Sequence, residues 1–312
     1  MAILRIIFII IMTMMCIGCT FQNGDTVNKI EIGSYIQFGK YYEKPILWRV
    51  INIDDNGNPM IFSERALCLK AFTGEQDINN RAVDVEDNST YWGDSNIRQW
   101  LNSSEDSITW ERTPPQKNNV FENPYENEPG FLHDSNFTKE ERKMILPHKH
   151  DVLLAKDYAE YRDGGSTYFY DIKFNRVDAV EEKYNDIYFQ IFTDKVFFLS
   201  TVELKKYVMD RGWEVRKKPT KEALENDMNP IKDKTRRTDE YMQYWLETPT
   251  YANVGVYVIF ADKILNDPMV GNCITSSGHT GVCPAMVLKR NAFEVKEGKG
   301  TIRKPFKIVS SS

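Results

Sequence analysis

The chain has 312 residues, of which 40 are Lys or Arg and 45 are Asp or Glu, so its formal net charge is -5 at pH 7. Hydrophobic residues make up 41% of it and only five residues are Cys, a composition that excludes collagen-like, disordered and disulfide-scaffold proteins. The slight negative charge argues against a protein that binds nucleic acid through bulk charge, and we expect no nucleic-acid partner.

The first 18 residues have the pattern of an export signal. Arg5 supplies a positive charge, an apolar run follows over residues 6–17, and Gly18 precedes Cys19. This run is shorter than the roughly 20 apolar residues that a transmembrane helix needs. We therefore expect residues 1–18 to be a signal peptide that takes no part in the folded domain.

The segment Ile17-Gly18-Cys19 resembles the lipobox of bacterial lipoproteins, in which cleavage precedes the cysteine and its thiol receives a diacylglycerol. Cys16 stands where leucine is usual, so an uncleaved anchor and plain secretion remain alternatives. The resemblance implies lipidation of Cys19, membrane attachment through two acyl chains and a tether over residues 19–28. We expect an exported protein anchored to the bacterial membrane or cell surface.

Three further cysteines lie in the exported part. Cys273 and Cys283 flank a Gly/Ser-rich stretch, and outside the cytoplasm such a pair can oxidise and close a loop. The chain-entropy estimate for a loop this short is roughly 3 kcal/mol. Cys68 is interpreted as a small core residue. The sequence has no Cys/His spacing typical of structural zinc, and we expect neither a metal nor a cofactor.

The first part of the exported chain is predicted to form strands. Apolar residues alternate over 30–38, and residues 46–53 form a more buried apolar run. Residues 54–59 have the composition of a hairpin turn and lead into a return strand at 60–62. A three-stranded meander is therefore predicted.

Short helices are predicted next. Residues 94–102 place apolar side chains at helical spacing, with Asp94 or Ser95 available as the cap. Residues 138–141 and 200–203 each have the pattern of a capping box, which marks the start of a helix.

The chain then returns to strands at 254–260, where apolar residues alternate, and at 282–288, interpreted as the final strand. Two charge-rich stretches, 147–193 and 214–240, are interpreted as insertions of solvated helices or loops, because their charges largely cancel. We therefore predict one α+β domain over residues 29–312.

Six short motifs in a fixed order are similar to a bacterial family, the domain of unknown function 6273, found on exported and surface proteins of gut and oral bacteria. The resemblance covers residues 30 to about 290. It implies a C-type-lectin-like or sulfatase-modifying-factor-like fold, a mixed sheet with two or three short helices and long loops that display a variable binding surface. The motifs lie at residues 32–50, 95–102, 137–142, 194–200, 244–249 and 281–286.

Two positions depart from the family pattern. Glu247 stands where the family tends to have Arg in Trp-Leu-Arg-Ser-Pro, and Cys283 stands where it tends to have Arg in Gly-Val-Arg-Pro-Ala. A carboxylate cannot take over the anion or ion pair that an arginine would hold, so the ligand chemistry of relatives is not carried over to this chain.

Three histidines are candidate chemical groups. His148 and His150 would point to one side of an extended segment, but two ligands without a third at a recognisable spacing favour a polar surface strand over a metal site. His279 lies among Ser and Thr in a loop. A nucleophile there would need an orienting acid and an oxyanion site, and the sequence indicates neither.

The tryptophans divide into two groups. Trp48, Trp100 and Trp245 lie on apolar faces of predicted elements and are assigned to the core. Trp92 and Trp110 lie in polar loops, where exposed rings would stack on sugars. The predicted binding face therefore combines the loops around these two residues.

Residues 247–280 complete this predicted binding face, with Glu247 and His279 as its polar members. We favour a non-enzymatic, lipid-anchored binding or adhesion protein whose ligand is a glycan or a protein. The alternatives are an enzyme acting on envelope or host glycans, for which no carboxylate pair is identifiable, and a structural envelope lipoprotein.

Overall fold

The computed structural model describes residues 29–74, 90–154, 189–228, 230, 232–234, 236–250, 255–262 and 270–311. The predicted export signal, Cys19 and the tether lie outside these residues. Within the described part of the chain, no helix has both the length and the apolar character needed to cross a membrane.

The described residues form an α+β structure that consists mostly of strands. The helices are α1 (Asn96–Asn102), α2 (Lys139–Met144), α3 (Thr201–Tyr207) and α4 (Lys221–Glu225). The strands are β1 (Tyr35–Tyr41), β2 (Lys44–Ile53), β3 (Pro59–Ser63), β4 (Arg65–Ala66), β5 (Ile145–Leu146), β6 (His148–Leu153), β7 (Phe189–Asp194), β8 (Val196–Phe197), β9 (Lys218–Pro219), β10 (Tyr244–Pro249), β11 (Val256–Ile259), β12 (Val270–Cys273), β13 (Ala285–Leu288), β14 (Phe293–Glu297) and β15 (Phe306–Ser310).

The largest sheet has eight strands, in the order β14-β15-β1-β2-β3-β13-β5, with β8 also paired to β13. Neighbouring strands are antiparallel except β1 and β15, which are parallel and pair Ile36 with Phe306. The predicted meander is confirmed as β1–β2–β3, in which Ile36 faces Trp48 and Val50 faces Ile61. The strand at 282–288 was expected to be the last; β14 and β15 follow it and extend the sheet beyond β1.

The alternation in the sequence explains which face of the meander is buried. Ile36 and Phe38 in β1, and Ile46, Trp48 and Val50 in β2, point into the core with 3% exposure or less, as period-two strands require. The Trp48 indole N–H donates to the Phe38 carbonyl at 2.8 Å, so its polar atom is satisfied inside the core.

The helix starts predicted from capping residues are confirmed. The Ser95 hydroxyl accepts from the Arg98 amide at the start of α1, and full capping boxes begin α2 at Thr138 and α3 at Ser200. These caps satisfy backbone N–H groups that would otherwise lack partners.

A smaller three-stranded sheet, β10-β11-β12, lies beside the main one, and β6 and β7 form a separate antiparallel pair. The interpretation of residues 147–193 as solvated is wrong for β6, since His150 is 6% exposed and Val152 is 0% exposed. Residues 155–188 of that stretch lie outside the described residues. In the second stretch, 214–240, Val215 and Ala223 reach the core with 2% and 1% exposure.

Candidate functional site

Three loops meet at one place on the described surface, formed by residues 121–123, 227–228 and 274–280; we name them the loop cluster. The Phe121 amide donates to the Ser276 carbonyl at 2.8 Å, and the Gly278 amide donates to the Phe121 carbonyl at 2.9 Å. These two bonds align the first and third loops like neighbouring strands.

Asn123 joins all three loops through its side chain. Its amide nitrogen donates to the Gly278 carbonyl at 2.8 Å and to an Asp227 carboxylate oxygen at 3.2 Å, while its amide oxygen accepts from the Met228 N–H at 3.0 Å. Asn123 is 9% exposed. One buried carboxamide therefore fixes the relative positions of the loops.

The backbone of the first loop is strained. Glu122 and Asn123 have φ of 63° and 50°, in the left-handed region that costs most residues with a Cβ roughly 1–2 kcal/mol and that Asn adopts more readily than Glu. Gly278 packs so closely against this loop that a Cβ atom would collide with the Glu122 carbonyl oxygen. Strain of this kind persists only where surrounding contacts over-determine it, and it concentrates at binding and active sites.

A charged pair lies beneath the loops. The Asp227 carboxylate is 1% exposed and pairs with the Arg237 guanidinium at 3.1 Å. The His279 ring nitrogen Nδ1 lies 3.8 Å from an Asp227 oxygen, which is too long for a hydrogen bond. His279 itself has a side chain 13% exposed, so its ring reaches the edge of the surface.

The hydroxyls near His279 do not fit a nucleophile. Ser276, Ser277 and Thr280 are between 0% and 2% exposed, and the Thr280 hydroxyl accepts from the Gln243 amide at 2.8 Å. A catalytic nucleophile must be reached by its substrate, and these hydroxyl groups are enclosed.

Large apolar side chains are exposed on each of the three loops. Phe121 is 37% exposed, Ile274 is 44% exposed and Met228 is 69% exposed. Single exposed apolar residues are ordinary on a protein surface, but the loops that carry these three are joined by the hydrogen bonds of Asn123. The predicted binding face includes residues 247–280 with His279, and the loop cluster contains residues 274–280 of that range; Phe121, Asn123 and Met228 were not identified from the sequence. The Asn123-Pro124 dipeptide is a turn signal, and it is the sequence feature that could have indicated a loop at Phe121 and Asn123.

Glu247 does not belong to the loop cluster; it lies in a second group that we name the ion cluster, made of Trp92, Arg98, His150, Asp194 and Glu247. His150 lies between two carboxylates, with Nε2 3.0 Å from Asp194 and Nδ1 3.2 Å from Glu247. The Nδ1 contact is an ion pair without hydrogen-bond alignment. All three side chains are only 2–3% exposed.

Asp194 is the hub of the ion cluster. It accepts from the Trp92 indole at 2.9 Å and from Arg98 Nε at 2.9 Å, and a terminal Arg98 nitrogen lies 2.8 Å away. Burial alone would raise the pKa of Asp194, but hydrogen bonds from His150 and Arg98 hold it below its ordinary value. Asp194 is therefore ionised at neutral pH.

The pKa values of the other two titratable groups, Glu247 and His150, are both raised. Burial raises the pKa of Glu247 to about 7, although His150 opposes this shift. Burial would lower the pKa of His150, but Glu247 and Asp194 outweigh it and raise that pKa to about 10. The ion cluster is therefore a largely buried charge network that joins β6, β7, β10 and α1.

Trp92 and Trp110 do not form the exposed stacking surface expected from the sequence. Trp92 is 0% exposed, and its indole is occupied by Asp194. Trp110 is half-buried, packs its ring 5.8 Å from that of Tyr125 and donates to the Glu126 carbonyl. Polar sequence neighbours suggested exposure, but Trp92 is buried because it supplies a donor to a buried carboxylate.

His148 and His150 lie on one side of β6 as predicted, with ring centroids 6.1 Å apart. The expectation of a polar surface strand is wrong, because His150 is buried. Among the described residues, no group of three or more His, Cys, Asp or Glu side chains is arranged to hold a metal ion.

The candidate bridge between Cys273 and Cys283, which the sequence left open, is absent, since both cysteines are free and buried. Cys273 Sγ lies 3.5 Å from the Thr280 hydroxyl and 3.7 Å from the Gln243 amide nitrogen. Burial raises the pKa of Cys283 to about 12, so its thiol stays protonated. Cys273 ends β12 of the small sheet, whereas Cys283 precedes β13 of the main sheet.

The chain matches the family described as Domain of unknown function (DUF6273) over residues 56–290. No curated protein and no solved structure matches it. The matched range contains every residue of the loop cluster and of the ion cluster. Because it spans more than half of the sequence, the chain belongs to the DUF6273 family.

Proposed function

We propose that this protein is an exported, lipid-anchored binding protein whose loop cluster recognises a polypeptide ligand. The observation that carries the proposal is the exposure of Phe121, Met228 and Ile274 on three loops that one buried asparagine holds together. A preorganised surface binds with less loss of conformational freedom than a loose one.

The chemistry of the surface favours a polypeptide over a glycan. Met228 and Ile274, the two more exposed side chains, offer thioether and aliphatic contacts, which suit apolar side chains of a protein partner. Lys232 and Lys234, which follow Met228 in the sequence, are exposed and form no ion pair with a described residue, whereas Asp233 between them pairs with Arg236 at 3.7 Å. Charge complementarity therefore favours a ligand with apolar residues flanked by carboxylates.

The ion cluster supports a non-enzymatic role. An acid–base pair must reach its substrate, whereas Asp194 and Glu247 have side chains 2% exposed. The raised pKa of Glu247 arises from burial inside the fold. These buried carboxylates therefore do not support the alternative proposal, an enzyme that acts on glycans.

The finer fold class and the location are part of this proposal. Residues 103–138 contain neither helix nor strand, and β1 pairs with β15; long loops on a mixed sheet support the C-type-lectin-like class, although a fold does not fix a ligand. The lipobox resemblance at Cys19 supports anchoring through two acyl chains. Labelling with an alkyne-tagged fatty acid tests it, since Cys19→Ser should remove the label.

The binding proposal is tested on peptide and glycan arrays with the chain from residue 29 onward, which contains every residue of the hydrophobic core. We expect binding to acidic peptides that carry apolar residues, weakened by salt. The triple variant Phe121→Ser, Met228→Ser, Ile274→Ser should lose it. Ile302→Ser, at a residue 54% exposed elsewhere on the surface, is the matched control.

Two results would overturn this assignment. One is peptide binding that the triple variant retains at the level of Ile302→Ser. The other is binding to glycans alone, which would return the protein to the sugar-binding alternative.

A further inference from the structure

A cavity of about 460 Å³ lies at the start of β2, apart from both clusters. Its apolar wall includes Ile46, Leu47 and Leu67, of which Ile46 and Leu67 are 2% and 4% exposed. This volume is within the range of roughly 300–1,000 Å³ that is typical of small-molecule sites, which are mostly apolar with a few polar groups. The wall therefore suits the apolar body of a ligand.

The rim of the cavity carries the charges that select the ligand. Lys44 and Arg65 line it, are exposed, and form no ion pair with any described residue; one Arg65 nitrogen donates to the Pro219 carbonyl at 3.3 Å. Lys221 is neutralised by Glu225 at 2.9 Å. Since Glu222 contributes one negative charge, the rim has a surplus of one positive charge.

The turn beside the cavity is strained in the same way as the loop cluster. Tyr42 and Glu43 have φ of 47° and 59°, in a hairpin turn that usually takes Asn-Gly. They connect Tyr41 and Lys44, both of which line the cavity. The described residues have positive φ at four non-glycine positions, and all four lie in these two loops. Strain held at such a position is a pointer to a functional site.

We propose that this cavity binds a monoanionic amphiphile, an apolar chain or ring that carries one carboxylate. The carboxylate lies between Lys44 and Arg65, where the guanidinium fork offers paired donors. The apolar part lies against Ile46, Leu47 and Leu67. A polyanion is disfavoured because Glu222 faces the same opening, and a cation is repelled by the surplus charge.

The test is calorimetric titration of the chain from residue 29 onward with decanoate, compared with decyltrimethylammonium, which has the same chain length and the opposite charge. We expect saturable binding of decanoate at one site and at least tenfold weaker binding of the cation. The double variant Lys44→Gln, Arg65→Gln should weaken decanoate at least tenfold. Leu47→Trp, which fills the cavity, should abolish its binding.

Lys296→Gln, at an exposed lysine of β14, is the control for lost positive charge, and thermal unfolding checks that each variant is folded. Three outcomes overturn the proposal: no saturable heat with decanoate, equal affinity for the cation, or a double variant that binds decanoate within twofold of Lys296→Gln. Because the double variant changes only exposed side chains, it keeps the test decisive even where Leu47→Trp disturbs folding.

Discussion

The hub of the ion cluster offers the sharpest test of how the fold is held together. Asp194 accepts hydrogen bonds from Trp92, Arg98 and His150, and its side chain is 2% exposed. Asp194→Asn keeps the size of the side chain but removes its charge. It leaves the Arg98 guanidinium and the protonated His150 without their shared anion, and it turns an amide donor toward one of them.

The expected loss follows from the burial of each partner. Removing one member of a buried ion pair costs about 3–5 kcal/mol. Since the Arg98 side chain is 25% exposed and water partly compensates it, we expect the lower end, about 3 kcal/mol. With an m-value of about 2–3 kcal/mol/M in urea, the unfolding midpoint should fall by roughly 1 M or more.

The assay is urea unfolding at pH 7 of the chain from residue 29 onward, followed by tryptophan fluorescence and circular dichroism. Asp151→Asn is the matched control, because Asp151 lies on the same strand pair and is exposed. It should change the midpoint little, as surface substitutions do. A midpoint for Asp194→Asn equal to that of Asp151→Asn would refute the assignment of Asp194 as a hub.

The remaining predictions concern pH, thiols and loop packing. The folded-state pKa of His150 is raised to about 10, so the stability that its protonation contributes is complete below about pH 6.5 and is lost as pH rises toward 10. The melting temperature should therefore fall over this pH range, and His150→Gln should make it depend less on pH. For the chain from residue 29 onward, thiol-reagent titration should find no reactive thiol in the native protein and three, Cys68, Cys273 and Cys283, in the urea-unfolded protein; a single thiol in the unfolded protein would contradict the absence of a bridge. Gly278→Ala should cost about 1–3 kcal/mol and weaken peptide binding. Gly212→Ala is the control, because it introduces left-handed strain at φ 70° without meeting a neighbouring atom; it should lower stability and leave binding unchanged.

Local patterns in the sequence predicted local structure well. The alternation in β1 and β2 identified the meander, and the capping boxes at Thr138 and Ser200 identified the starts of α2 and α3. Both signals depend on neighbouring residues alone. β14 and β15 were missed because each is only five residues long and buries one side chain, Phe293 or Phe306, while three of its residues are exposed.

The candidate sites depend on contacts between distant residues, which local patterns do not contain. His150, Asp194 and Glu247 meet only because β6, β7 and β10 pack together. The residues near Trp92 in the sequence do not indicate that its indole N–H donates to Asp194. His279 lies in one of the three loops of the loop cluster, but its neighbour Asp227 lies in another loop. Exposure was mispredicted for the same reason, since burial of a polar group is decided by its distant partner.

The parallel pairing of β1 with β15 has a consequence for how the chain folds. The strand near the start of the described chain gains its outer neighbour only from residues 306–310, so the main sheet cannot be completed until those residues are available. Contacts between residues so far apart in sequence make folding slow. If the protein is exported as proposed, late completion of the main sheet suits a chain that crosses the membrane unfolded. The sheet cannot be completed before β15 is available to pair with β1.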